Sequence, residues 1–130
     1  YWKNQGYPIF TSDRCLDYSM RWPFDYNVKH HATTEELPVG FEPIRCYYGR
    51  SKFVVEANGF VYPCFPLNEE FKALNLKEVG VAKAIEHVRK TNTCVACPHL
   101  SNNDYNLLLG LSVRQLGYLV KRQLQEIFHI

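Results

Sequence analysis

A chain of 130 residues and 15.2 kDa has the size of one domain and can bury a core without disulfide support. Apolar residues at 46% and charged residues at 22% exclude a disordered chain. The 15 Lys and Arg against 13 Asp and Glu leave +2, which gives no electrostatic footprint for a nucleic-acid or membrane-surface binder, and no apolar run approaches the roughly 18 residues of a membrane span.

The chain opens on Tyr1-Trp2-Lys3 and shows no signal-peptide pattern. We expect a piece of a longer protein, with some apolar surface belonging against a neighbour. Residues 1–11 are polar and turn-rich, with Gly6 and Pro8. Ser12-Asp13 then offers an N-cap for a short helix carrying Cys15, Leu16, Tyr18, Ser19 and Trp22, which Pro23 must end. From Pro23 to Pro43 no period is sustained, and the stretch reads as a long loop or linker that includes His30 and His31.

Two β-rich runs follow, around Lys52–Glu56 and Phe60–Tyr62, joined through Asn58-Gly59. Asn-Gly predicts a two-residue hairpin with a type I′ turn and positive φ at Gly59. Cys46 precedes the first run and Cys64 follows the second, so the hairpin is expected to bring the two thiols together. Val81, Ala84, Ile85 and Val88 form one apolar stripe and predict a helix over 80–90. Cys94-Val-Ala-Cys97-Pro98 comes next. Leu109, Val113, Leu116, Val120, Leu124 and Ile127 then predict a single amphipathic helix over 104–128, buried all round at its Leu107–Leu111 end. Gly110 and Gly117 would lie on one edge of it, open to a second backbone, while Arg114, Lys121, Arg122 and Glu126 would face solvent. The fold class is α+β.

Five cysteines in 130 residues, about 4%, fall well below the roughly 8–10% of disulfide scaffolds. An odd count leaves one thiol over in any pairing scheme, so reduced cysteines and a cytoplasmic setting fit better. Four of them, Cys46, Cys64, Cys94 and Cys97, come from a hairpin mouth and a C-x2-C turn. Four converging thiolates suit zinc or an iron–sulfur cluster. Cys15 reads as a small buried residue, His99 as a loop histidine, and His30-His31 as an exposed pair. The interleaved Arg45, Tyr47, Tyr48, Arg50, Lys52 and Phe53 resemble a nucleic-acid strip. The near-zero net charge argues against that reading, and basic residues beside an anionic cluster have a simpler use.

Cys46, twelve residues, Gly59, four residues and Cys64 resemble the C-x(9–15)-G-x4-C motif of the auxiliary-cluster (SPASM and twitch) domains of radical S-adenosylmethionine enzymes. Asn58–Cys64 is similar to that family's hairpin signature, and Asn75–Val79 followed by a helix and C-x2-C to its continuation. Asn103 and Leu107 stand where the longer SPASM pattern has further cysteines, so the shorter twitch arrangement is the nearer likeness. That resemblance implies one [4Fe–4S] cluster on Cys46, Cys64, Cys94 and Cys97 and an electron-transfer role beside a radical SAM barrel of the same protein. The barrel's C-x3-C-x2-C motif is not in this chain, since Lys90 stands four residues before Cys94. S-adenosylmethionine and its own [4Fe–4S] cluster would therefore belong to the barrel. On this reading residues 1–43 connect from the barrel, 44–108 form the cluster domain and 109–130 form a packing helix. The alternative is a non-catalytic four-cysteine zinc module; a fragment prepared in air can also lose its cluster and take up zinc or form disulfides.

Overall fold

The computed structural model describes Gln5, Tyr7 and residues 9–128. Tyr1, Trp2, Lys3, Gly6 and Pro8 lie outside the described residues, as do the side chains of Arg122, Glu126 and Ile127. The chain is α+β, with a small antiparallel sheet and several helices.

Helix α1 (Asp13–Met20) starts where the sequence places it. Ser12 Oγ accepts the Cys15 amide, and Asp104 in turn accepts the Ser12 hydroxyl at 2.6 Å, tying the helix start to a distant segment. Cys15, Tyr18 and Trp22 are buried on its inner side, although Trp22 lies just beyond the Arg21 cap. The segment after Pro23 is not a free linker. Ala32 forms a two-way bridge with Ala96, the middle of the C-x2-C turn, and both are buried (0% and 1% exposed). One apolar cluster thus joins Cys15, Tyr18, Trp22, Ala32, Ile44, Ala96 and Leu107, crossing the expected boundary at 43/44.

Strands β1 (Val54–Val55) and β2 (Phe60–Tyr62) pair as Val54↔Tyr62 and Val55↔Val61. The turn departs from type I′, which needs positive φ at both central residues. Here Gly59 alone has it (φ 100), the Gly59 amide bonds Glu56 O, and the Glu56 amide bonds Phe60 O. The loop is the three-residue Ala57-Asn58-Gly59, with glycine in the left-handed place that closes it. A third strand, β3 (Leu74–Asn75), pairs β2 on its other edge (Phe60↔Asn75, Val61↔Leu74). It continues into α2 (Leu76–Val79), capped by the Asn75 side chain, and then through Gly80 into α3 (Val81–Thr91). Ala84 and Val88 of α3 pack on Val61 of the central strand, while Val81 is exposed.

The expected single helix over 104–128 is two: α4 (Leu100–Leu109) and α5 (Val113–Phe128). Leu111 adopts φ 52, and the Leu111 and Ser112 amides return to Leu108 O and Leu107 O. This is a Schellman-type stop with leucine in the place glycine usually holds. Gly110 sits one residue early, at the cap. Burial all round is also corrected: Leu107 is buried, but Leu111 is 75% exposed, and Leu109, Val113, Leu116, Val120 and Leu124 are exposed as well. Gly110 packs beside the Tyr47 ring, whereas Gly117 faces open space. Among the described residues no helix is long and apolar enough to cross a membrane.

Candidate metal centre

Three of the four cysteines of interest pack in one apolar cluster, and Cys97 is buried as well. Cys46, Cys64 and Cys94 share a cluster with Tyr48, Leu67 and Phe71, and Phe71 also packs on the sheet–α3 core. Cys46 is not at the strand end. It lies before a tight turn over 47–52, in which the Arg50 and Ser51 amides bond Tyr47 O and the Gly49 amide bonds Lys52 O at 2.7 Å. Cys64 leaves β2 directly and opens a 3-10 turn, Phe65–Leu67.

Asn92 couples the two halves. Its Nδ2 donates to Tyr48 O at 3.2 Å, and its Oδ1 accepts the Cys94 amide at 3.2 Å. The turn beneath it needs Gly49, whose φ is 76 and whose added Cβ would stand 2.6 Å from Asn92 Nδ2 and 3.0 Å from Pro63 Cβ. The C-x2-C turn is held from its other sides as well. Asn103 Nδ2 donates to Cys97 O at 2.8 Å, and Ser19 Oγ of α1 donates to Pro98 O at 2.8 Å.

All five cysteines are free thiols. The four act on one another. Burial raises the Cys94 thiol first of all, and the charges of Cys46, Cys97 and Cys64 raise it further. Cys97 is pushed up to about 12 by burial, with Cys46 and Cys64 adding to it. Cys64 rises to about 11 from burial, with a contribution from Cys46. Cys46 is raised by burial and held back by the Tyr48 backbone, Asn106 and Arg50. At each thiol the strongest influence favouring the thiolate is a backbone group two or three residues ahead: Tyr48, Leu67, Ala96 and His99 in turn. In the folded chain the Cys94 thiol itself donates to Ala96 O at 3.6 Å.

Cys15 stands apart. It is fully buried in the α1 core and raised to about 12 by burial, and its remaining influences are Ser12, Asp104 and Arg14. His30 is exposed. His31 is half-buried rather than exposed, and its Nε2 lies 3.4 Å from Glu70. His99 precedes α4, with a buried, unpartnered Nε2, and both burial and His30 lower its pKa. Two bases of the strip lie over aromatic rings, Lys52 over Tyr105 at 4.2 Å and Tyr48 at 4.8 Å and Arg45 over Tyr47 at 5.4 Å, and Arg89 of α3 covers Phe53 at 5.5 Å.

Two clefts reach the thiols. One of about 400 Å³ runs between His31, Glu70, Phe71 and His87 to Cys94. The other, about 350 Å³, runs between Phe41, Arg45 and Arg50 to Cys46 and Cys94. Among the described residues no three His, Cys, Asp or Glu side chains are gathered closely enough to hold one ion. The donor chemistry nevertheless fits a thiophilic centre: four desolvated thiols that cannot all ionise together without a cation. Asn106, Asn103 and Tyr18 each place a buried, unpartnered polar atom in the surrounding wall. Sequence reasoning gave Asn106 no role and placed Tyr18 and Asn103 without seeing them in this wall, because nothing local distinguishes them from ordinary helix residues. Comparison with known protein families, with curated proteins and with solved structures finds no match.

Proposed function

We propose that this chain is the auxiliary-cluster region of a radical SAM oxidoreductase, with Cys46, Cys64, Cys94 and Cys97 holding one [4Fe–4S] cluster. The observation that carries the reading is the mutual electrostatic influence of these four thiols, which Cys15 does not share. The hairpin and C-x2-C spacings that resemble the twitch arrangement supply the choice of iron and sulfide over another thiophilic centre. When bound, such a cluster supplies one-electron transfer at a potential set by its surroundings. With cysteine at all four places, no iron stays open to a substrate atom, and the role is electron relay to or from a substrate radical. Arg50 offsets thiolate charge at Cys46. The cleft past Arg45 and Arg50 offers a short approach for an electron partner. The barrel that cleaves S-adenosylmethionine would be the partner within the same cytoplasmic protein.

Metal and sulfide analysis of the protein purified without oxygen tests this. About four iron and four acid-labile sulfide per chain are expected, as a [4Fe–4S] centre demands. Stoichiometric zinc under the same conditions would make the site a structural zinc module. Neither metal after anaerobic loading would remove the centre altogether.

A further inference from the structure

The cleft between the 37–43 loop and the turn over 47–52 carries charge of one sign. Arg45 and Arg50 line it, and no Asp or Glu does. Neither guanidinium has an ion-pair partner among the described residues. Glu42, the nearest acid along the chain to Arg45, lines a separate cleft beside Arg14 and Arg21. The cleft that passes His31 differs in the same respect, since Glu70 faces the histidine there.

Both bases stand on a rigid piece of chain. The Arg50 amide bonds Tyr47 O at 3.1 Å, a turn that brings residues 47 and 50 to within about 7 Å. Arg50 O in turn accepts from the Arg89 guanidinium of α3 at 3.1 and 3.3 Å. The Arg45 guanidinium lies over the Tyr47 ring, 5.4 Å from its centre, and Asn106 Oδ1 fixes the Tyr47 amide at 2.9 Å. The floor is apolar: Leu37, Phe41 and Val95 line the cleft and pack on the core that holds Tyr18 and Ala96. Pro38 and Pro43 stiffen the opposite wall.

A cleft with low-dielectric walls and charge of one sign focuses its field and concentrates counter-ions. Guanidinium forks match carboxylate oxygens two at a time, and holding them in place beforehand lowers the ordering cost of binding. The floor sets a second requirement, because a small hydrated anion would gain nothing from Leu37, Phe41 and Val95. A volume of about 350 Å³ lies at the small end of ligand clefts, which run about 300–1,000 Å³, and suits one ring or one branched side chain.

We propose that this cleft binds an organic carboxylate, its charged end held by Arg45 and Arg50 and its apolar group seated on Leu37, Phe41 and Val95. The site does not rest on the cluster reading. The same chemistry is offered by a free acid and by the C-terminal residue of a peptide.

The test titrates the reduced, metal-free full chain with phenylacetate and follows the backbone amide signals by NMR. Phenylacetamide removes the charge, acetate removes the ring, and inorganic phosphate supplies an anion alone. Phenylacetate is expected to shift the amides of residues 37–50 and Val95 and to bind at least tenfold more tightly than the other three. Arg45→Gln and Arg50→Gln alter exposed side chains and should each weaken binding about tenfold, with the urea midpoint unchanged. Lys83→Gln removes an equal charge from α3 outside the cleft and should leave binding within twofold. Acetyl-phenylalanine binding more tightly than phenylacetate would support the site with a chain end as its ligand, and the reverse would support it with a free acid. Absence of saturable phenylacetate binding, phosphate or phenylacetamide binding as tightly, or equal weakening by Lys83→Gln would each overturn the inference.

Discussion

Replacing Gly49 by alanine attacks the site through its scaffold. The new methyl would meet Asn92 Nδ2 at 2.6 Å and Pro63 Cβ at 3.0 Å, on a backbone at φ 76. The left-handed conformation costs an L-residue about 1–2 kcal/mol, offset by about 0.4–1 kcal/mol from a less flexible unfolded chain. Displacing Asn92 breaks its bonds to Tyr48 O and to the Cys94 amide, at about 0.5–1.5 kcal/mol each. The sum is a loss of about 2–4 kcal/mol. Gly40 is the control: its φ is 85, but nothing lies within 4 Å of an added Cβ. Gly40→Ala should therefore show the backbone cost alone, about 1 kcal/mol or less. Urea unfolding followed by circular dichroism reads the difference, with m of about 1–3 kcal/mol/M left unchanged. Asn92→Ala placed on top of Gly49→Ala should cost less than the two changes separately, since the contacts are already lost. Equal losses in Gly49→Ala and Gly40→Ala, or strict additivity with Asn92→Ala, would refute the steric argument.

Gly59→Val combines positive φ with a Cβ placed 2.7 Å from Asn75 Oδ1, the cap of α2, and should destabilise by about 2–4 kcal/mol and lower iron content with it. Unchanged unfolding would remove the turn from the account. Leu111→Gly reverses the usual rule. It relieves a left-handed leucine that is 75% exposed and should leave stability within about 1 kcal/mol of wild type or raise it, as thermal unfolding would show. Burial raises the thiols of Cys15, Cys64 and Cys97 to about 12, 11 and 12. The folded state then holds protons that the unfolded state releases above about pH 9, so metal-free stability should be flat below that and fall towards pH 12. A urea midpoint that climbs between pH 9 and 11 would contradict the sign. On the proposed radical SAM reading, Cys94→Ala or Cys97→Ala in the full-length protein should spare S-adenosylmethionine cleavage and reduce oxidised product; normal product with the proposed cluster absent would leave the site only a structural part.

The features legible in the residues alone are those whose physics is local. Ser12 as a cap, a helix over 81–91 and positive φ at Gly59 depend on neighbours within a turn or two and stand as read, while of the stripe Val81, Ala84, Ile85 and Val88 the first is exposed. Locality also explains the misreadings. The apolar spacing from Leu109 onward continues in phase through the left-handed step at Leu111, so periodicity cannot see the break between α4 and α5. Asn58-Gly59 signals a tight turn, but whether two or three residues form its loop depends on which residues the strands pair, here Glu56 with Phe60. The α+β class follows from these local signals, whereas the third strand, two residues long, has too few side chains to announce itself. What only the tertiary structure decided is the wall of the site. Ala32 meets Ala96, Gly49 lies under Asn92, and Asn106 meets the amide beside Cys46 across 59 positions of sequence. These contacts are made by small and neutral side chains with no periodic or motif signature. Their chemistry emerges only when packing removes water and leaves each polar atom to find its partner among residues far along the chain.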